Sequence, residues 1–426
     1  MKLAKLALAL LCVYALVACN SSTNNSKTSE LPKNNGLSPG NWLGTFDIQG
    51  QKMPFSIRVE NENKLFLVNG EEEIAINNIQ YQNDSAIIPM HIFDATIFLD
   101  LKQLSGWWQK NYYDDYKLNL KLEKETERER EREREGVGEG ESTSKSGTLQ
   151  QNMTGKWQVY FSSELNSPAI GEFHQNGNSL SGTFLTATGD YRYLTGKRLD
   201  KDSFYLSTFD GEHAFLFYGK QVNETLKGTF LSGPRWSETF VGTKNENPVI
   251  ASSDTLTQIV NENRRFSFKA VDLKGDSISN TDQAFENKPM LIQIMGTWCP
   301  NCMDETAYLA KWAKKEKPEN LEIVSLAFER KNDFEYAKQR LEILKEHYEI
   351  PYQLAFAGQS NKEDAALKLP DLNRVVAYPT LIFIDQNHKV QHIHTGFSGP
   401  GTGAYFEEWK ANFNSEIEKL TAHSDK

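Results

Sequence analysis

The sequence predicts an all-β antiparallel region of about 200 residues, built as a barrel, a sandwich or two similar halves, followed by an α/β layer domain of roughly 170 residues. Three observations lead there. From Asn41 to Leu122, and again from Met153 to Thr243, short runs alternate apolar and polar residues, with Gly, Asn and Asp between them. Beyond the stretch "TKNENPVIASSDT", residues 243–255, strand-like and helix-like patterns take turns. Hydrophobic residues make up 38% of the chain and aromatic residues 11%, which supplies cores and excludes chain-wide disorder. The 426 residues suit two or three domains.

The N-terminus reads as a targeting segment. Lys2 and Lys5 precede an apolar run from Leu6 to Val17, too short for the roughly twenty residues that cross a bilayer. Residues 1–18 are therefore expected to be a signal peptide. The run ends in "LVAC", Leu16 to Cys19, which resembles the bacterial lipoprotein box. That resemblance implies acylation at Cys19 and a membrane anchor. Residues 19–40 are polar and suit a tether.

The first β region spans residues 41–122, with "WLGTFDI", "PFSIRVE", "KLFLVNG", "ATIFLDL" and "YKLNLKL" as its runs. The second spans residues 151–245 and includes "GKWQVYF", "SLSGTFL", "SFYLSTF", "AFLFYGK" and "SETFVGT". Two echoes in the second, "GNSLSGTF" at 177–184 and "NETLKGTF" at 223–230, read as one hairpin pattern used twice. Between the regions lies "EKETERERERERE" and then "GVGEGESTSKSG". Strict Glu/Arg alternation supports a helix only partly and gives a strand nothing apolar to bury, so residues 123–150 are expected to be a solvated linker. Trp42, Trp107, Trp108, Trp157 and Trp236 are expected in the sheet cores, although a barrel of this size could enclose a small apolar ligand.

The α/β domain covers residues 256–424. "FSFKAVDLKGDSIS" reads as a hairpin turning at Lys274-Gly275, and "PMLIQIM" as a central strand covered on both faces. A helix is expected from about Pro300 to Lys317, then the buried strand "LEIVSLAF". Phe334, Ala337, Leu341, Leu344 and Tyr348 mark one face of a second helix. "YQLAFAG" is a strand, "NKEDAALKL" a short helix, and "PTLIFID" with "KVQHIHTGF" a terminal hairpin. A last helix runs over about Gly403 to Leu420.

Chemistry concentrates at "GTWCPNCMDE", residues 296–305. Of the four cysteines, Cys12 falls in the signal and Cys19 at its end, so Cys299 and Cys302 remain and a four-thiolate zinc site within the chain is excluded. Cys299 ends a strand and begins a helix, where free N–H groups and the helix dipole favour its thiolate. Cys302 lies one turn on, within bridging distance. Pro300 suits the first helical position. Asp304 and Glu305 read as helix-start acids complementing the dipole. A net charge of −10 shows no basic footprint for nucleic acid.

Residues 260–422 resemble the thioredoxin superfamily and, within it, TlpA/ResA-like thiol:disulfide oxidoreductases. The features in order are the leading hairpin, the strand–"WCPNC"–helix junction, "LEIVSLAFE" and "AYPT" at 377–380. The resemblance implies a thioredoxin-like domain with a mixed sheet and helices on both faces. It also implies a redox-active Cys299–Cys302 pair in place of any cofactor, and a cis-proline at Pro379 beside it. Thr297, Trp298, Pro300, Asn301 and Tyr378 flank that pair. Thioredoxins proper place a buried acid six residues before the first cysteine, where this chain has Gln293. TlpA/ResA-like proteins use a glutamate near the end of the next strand, matched by Glu329. Implied partners are disulfide-containing exported proteins and a membrane electron donor, with the protein tethered in the bacterial cell envelope facing the periplasm, and the reducing direction is favoured. A peroxiredoxin-like peroxidase and a binding lipoprotein with a structural disulfide are the alternatives. No metal site is expected. His392 and His394 share a strand face with no third ligand type nearby in sequence. "GFSGPGTG", residues 396–403, reads as a flexible connection at a rim of the active face.

Overall fold

The computed structural model describes residues 36–126, 151–164, 167–261 and 264–422, all within one compact unit. The signal peptide, Cys19, the tether as far as residue 35 and the charged run 127–150 lie outside the described residues. No described helix is long and apolar enough to cross a membrane.

The β region is two separate nine-stranded antiparallel sheets. In the first, the opening strand Gly40–Ile48 sits centrally between Gln51–Asn61 and Lys117–Lys124. Hairpins then run outward to edges at Glu72–Asn77 and Gln80–Gln82. Alternation turns Trp42, Phe46 and Ile48 inward, with Met53, Phe55 and Ile57 from the next strand. In the second sheet, Ala169–Asn176 pairs with both Gly155–Phe161 and Ser179–Thr186. That double pairing closes the sheet into a barrel and leaves only Gly189–Asp190 as an addition at its rim. The interior is filled by Trp157, Phe184, Phe217, Phe230 and Phe240, with the Phe217 and Phe230 rings stacked 4.3 Å apart. The two sheets meet through Phe209 of the barrel, whose ring lies 4.9 Å from both Phe46 and Phe55.

The repeated pattern in the barrel corresponds to two tight hairpins, Ala169–Asn176 with Ser179–Thr186 and Ala214–Val222 with Thr225–Ser232. Positive φ at Gly177 and Asn223 makes the turns, and Phe184 and Phe230 reach the core. Two of the five tryptophans depart from expectation. Trp107 and Trp236 are 38% and 52% exposed, because each falls on the outward parity of its strand. The strands Glu72–Asn77, Gln80–Gln82, Ser85–Pro89 and Ser105–Lys110 were not among the expected runs. They are short or polar, and ladder hydrogen bonds to neighbouring strands define them where alternation does not.

Within the C-terminal domain we number the elements β1 (Lys269–Asp272), β2 (Ser277–Ser279), β3 (Met290–Met295), α1 (Pro300–Lys315), β4 (Glu322–Glu329), α2 (Phe334–Tyr348), β5 (Gln353–Gln359), α3 (Lys362–Lys368), β6 (Thr380–Ile384), β7 (Val390–Thr395) and α4 (Ala404–Ala422). The sheet order is β2-β1-β5-β4-β3-β6-β7. Strands β3, β4 and β5 are parallel, β6 runs against them, and β7 turns back antiparallel to β6. Every residue of β3 is buried, Gln293 included, as a central strand covered on both faces requires. Leu291 and Met295 face α1, α2 and α4; Ile292 and Ile294 face Phe266, Phe285, Leu369 and Ala365 of α3. Asp333 and Asn361 cap α2 and α3 through their side-chain oxygens.

Candidate active site

The site is assembled where β3 hands over to α1. Gly296 makes that junction possible, since a Cβ there would lie 2.3 Å from Trp298 Nε1 and 2.7 Å from Phe328 O. The tryptophan folds back instead, and its Nε1 donates to Phe328 O at 2.9 Å. Cys299 then caps α1, its Sγ accepting from the Cys302 N–H at 3.2 Å, with Pro300 in the first helical turn. Cys299 and Cys302 form a disulfide with Cα atoms 5.2 Å apart. Cys299 is 6% exposed and Cys302 fully buried. Attack from outside is thus confined to Cys299, which also occupies the end of the helix that stabilises a thiolate.

Further expected residues surround the motif. The Tyr378–Pro379 peptide is cis, and Tyr378 O lies 3.4 Å from Cys299 Sγ. The Tyr378 ring packs edge-on against Trp298. Glu329, at the end of β4, is fully buried and accepts from Thr297 N at 2.9 Å and Thr297 Oγ1 at 2.8 Å. Burial raises the Glu329 carboxyl above the usual range, while the two Thr297 bonds favour its charged form and oppose that rise.

Both helix-start acids depart from expectation. Glu305 is fully buried and directed at the sheet, where Gln293 Nε2 donates to its Oε2 at 2.8 Å. Ser325 Oγ in turn donates to Gln293 Oε1 at 2.6 Å. Burial pushes the Glu305 carboxyl up to about 8. Gln293, six residues before Cys299, thus holds a buried acid that comes from the helix and not from the strand. Asp304 is not a solvated acid either: it accepts from Arg192 Nη1 of the barrel at 2.6 Å.

That arginine belongs to a frame around the motif that sequence reasoning missed. Arg192 Nη1 also donates to Pro300 O at 3.0 Å, and its Nη2 pairs with Glu72 of the first sheet. Asn301 Nδ2 donates to Asp190 O at 3.2 Å. Asp190 Oδ2 accepts from Gly399 N at 2.6 Å, which places the glycine-rich 396–403 segment against the barrel beside Asp304. On the opposite flank the Arg330 guanidinium lies 3.6 Å over the Trp298 ring and 5.5 Å from that of Tyr112 in the first sheet. No spacing in the sequence links the barrel and first-sheet positions to the motif, since those contacts join residues over a hundred positions apart. His392 and His394 lie away from the dithiol, on β7, where both meet Asp254.

The C-terminal domain has the thioredoxin-like fold. Its sheet order, the dithiol at the start of α1 and the cis-proline ahead of β6 carry that assignment. The redoxin family model matches residues 260–407, which lie inside this thioredoxin-like domain and amount to about a third of the chain. Thiol-disulfide oxidoreductase ResA of Halalkalibacterium halodurans is 25% identical over 130 residues, 30% of this chain. The match spans 65% of that relative's length. Similar solved structures include a thioredoxin-family thiol:disulfide interchange protein from Chlorobium tepidum, at 17% identity with a TM-score of 0.29, covering 38% of this chain and 99% of that one. A secreted Mycobacterium tuberculosis disulfide oxidoreductase matches at 14% identity with a TM-score of 0.27, covering 36% and 96%.

Proposed function

We propose that the protein is an exported, lipid-anchored thiol:disulfide oxidoreductase that reduces disulfides of other exported proteins. The observation that carries this reading is the Cys299–Cys302 disulfide at the start of α1, with Cys299 the outer sulfur beside Tyr378–Pro379. In the reduced enzyme the Cys299 thiolate attacks a substrate disulfide. One substrate sulfur leaves as a thiol and the other stays bonded to Cys299. The Cys302 thiolate then attacks Cys299 Sγ, releasing the second substrate thiol and leaving the enzyme disulfide. Two electrons pass to the substrate. Glu329, held by Thr297, is assigned the proton that Cys302 gives up. The extended backbone at Tyr378–Pro379 offers a strand-like edge for an incoming polypeptide. Regeneration requires a membrane dithiol donor, and Cys19 acylation holds the protein where such a donor works.

Reduction of insulin disulfides by the full chain tests this. Wild type is expected to turn over, Cys299→Ser to lose activity, and Cys302→Ser to accumulate a mixed disulfide on Cys299. A chain that shows no turnover, and whose Cys302→Ser variant traps nothing, overturns the reading. Equilibration of the dithiol with glutathione gives its potential and therefore its direction.

A further inference from the structure

We propose that Asp254, His392 and His394 form a binding site for a divalent transition-metal ion of the zinc type. Two histidines at i and i+2 on a strand point to the same face, and β7, at the edge of its sheet, has a further neighbour outside the sheet. The neighbour is the segment joining the barrel to the thioredoxin-like domain, where the short 3-10 turn Ser253–Thr255 brings up Asp254. His394 Nδ1 lies 2.9 Å from Asp254 Oδ1, and His392 Nε2 lies 3.4 Å from the same oxygen. One ligand atom from each of the three residues falls within 4.8 Å of the others. Zinc bound by nitrogen and oxygen at roughly 2.0–2.2 Å keeps its ligand atoms about 3.3–3.5 Å apart, so the observed triangle needs only a small adjustment.

The surroundings suit an ion better than a buried ion pair. The three side chains are 23–47% exposed and stand in the wall of a cleft of about 480 Å³. Tyr405, Glu408 and Trp409 of α4 and Ile170 and Leu185 of the barrel form other parts of that wall. A fourth coordination position therefore opens onto the cleft, where water or a small anion can complete the shell. Both imidazoles are braced: His392 against Phe383, with ring centroids 5.5 Å apart, and His394 against Trp409 at 6.4 Å. Ser253 Oγ donates to Ala187 O of the barrel at 3.1 Å. An ion here would consequently fasten the connecting segment between the barrel and the edge of the thioredoxin-like sheet. The third candidate ligand is not near in sequence: Asp254 is 138 positions from His392 (392 − 254) and comes close only in the folded chain.

Titration of the full chain with Co²⁺ tests the proposal, with Cys299–Cys302 kept as the disulfide so that its thiols cannot compete. The expected result is one saturable equivalent, with visible d–d absorption of a four- or five-coordinate nitrogen/oxygen site, displaced by Zn²⁺. His394→Ala and Asp254→Asn are each expected to weaken binding by at least about tenfold. Circular dichroism of the metal-free Asp254→Asn chain checks that it still folds, since that variant keeps the shape of the side chain. Absence of saturable binding overturns the proposal, as does binding that both variants leave unchanged.

Discussion

Glu305 is the residue whose setting has the clearest measurable consequence. Its carboxyl ordinarily titrates near 4.5, and burial moves it to about 8 in the folded chain. Below pH 4.5 both folded and unfolded states hold the proton. Between pH 4.5 and 8 the unfolded state releases it while the folded state keeps it, so this group's contribution to stability is lost as pH rises through that window. Glu305→Gln keeps the shape and the contact with Gln293 but cannot ionise. The variant is expected to match wild type near pH 4 and to exceed it at pH 8 by on the order of 4 kcal/mol, at about 1.36 kcal/mol per pH unit. Urea melts from pH 4 to pH 9 check this, and parallel pH profiles for the two proteins would refute it. Cys299, Cys302, Thr297, Glu329 and Pro379 were legible in the sequence because motif order and strand ends locate them. Glu305 was not, since only its pairing with Gln293 across β3 separates a buried acid from a solvated helix-start acid.

At the scale of elements, sequence texture located the helices and most strands because each carries its own periodicity. Helix α2 shows its buried face at Ala337, Leu341 and Leu344, and β3 is apolar except for Gln293 and buried throughout. The short first-sheet strands were silent because neighbours' hydrogen bonds, and not alternation, define them. The repeated barrel hairpin marks the other extreme, a local pattern with a steric reason behind it. A Cβ on Gly182 would meet Glu172 O at 2.1 Å and Phe173 Cα at 2.9 Å, across the ladder it shares with Ala169–Asn176. Gly182→Ala is therefore expected to destabilise the chain by about 1–3 kcal/mol through forced separation of the two strands. A lowered thermal midpoint with the tryptophan fluorescence of the folded state intact is the expected observation. An unchanged midpoint would show that the hairpin relaxes freely.

At the scale of the whole molecule, the β region is a structural partner of the dithiol site, and nothing in the sequence announced it. Arg192 ties the three parts together: Glu72 of the first sheet, its own barrel, and Pro300 and Asp304 of α1. Its side chain is 9% exposed, and Asp210 Oδ2 stands 4.0 Å from its Nε. Burial pushes the Asp304 carboxyl up to about 7, while the Arg192 guanidinium pulls it down. Removing the arginine leaves several buried acids without their common cation, a change that typically costs about 3–5 kcal/mol. Arg192→Ala is expected to show a loss of that order in urea melts. Asp304→Ala should restore part of the loss in the double variant, because it deletes one of the stranded charges, although it costs stability on its own. That non-additivity separates an electrostatic clasp from mere packing. Additive losses from the two substitutions would mean that Arg192 contributes through its alkyl stem and that the pairing with Asp304 holds nothing together.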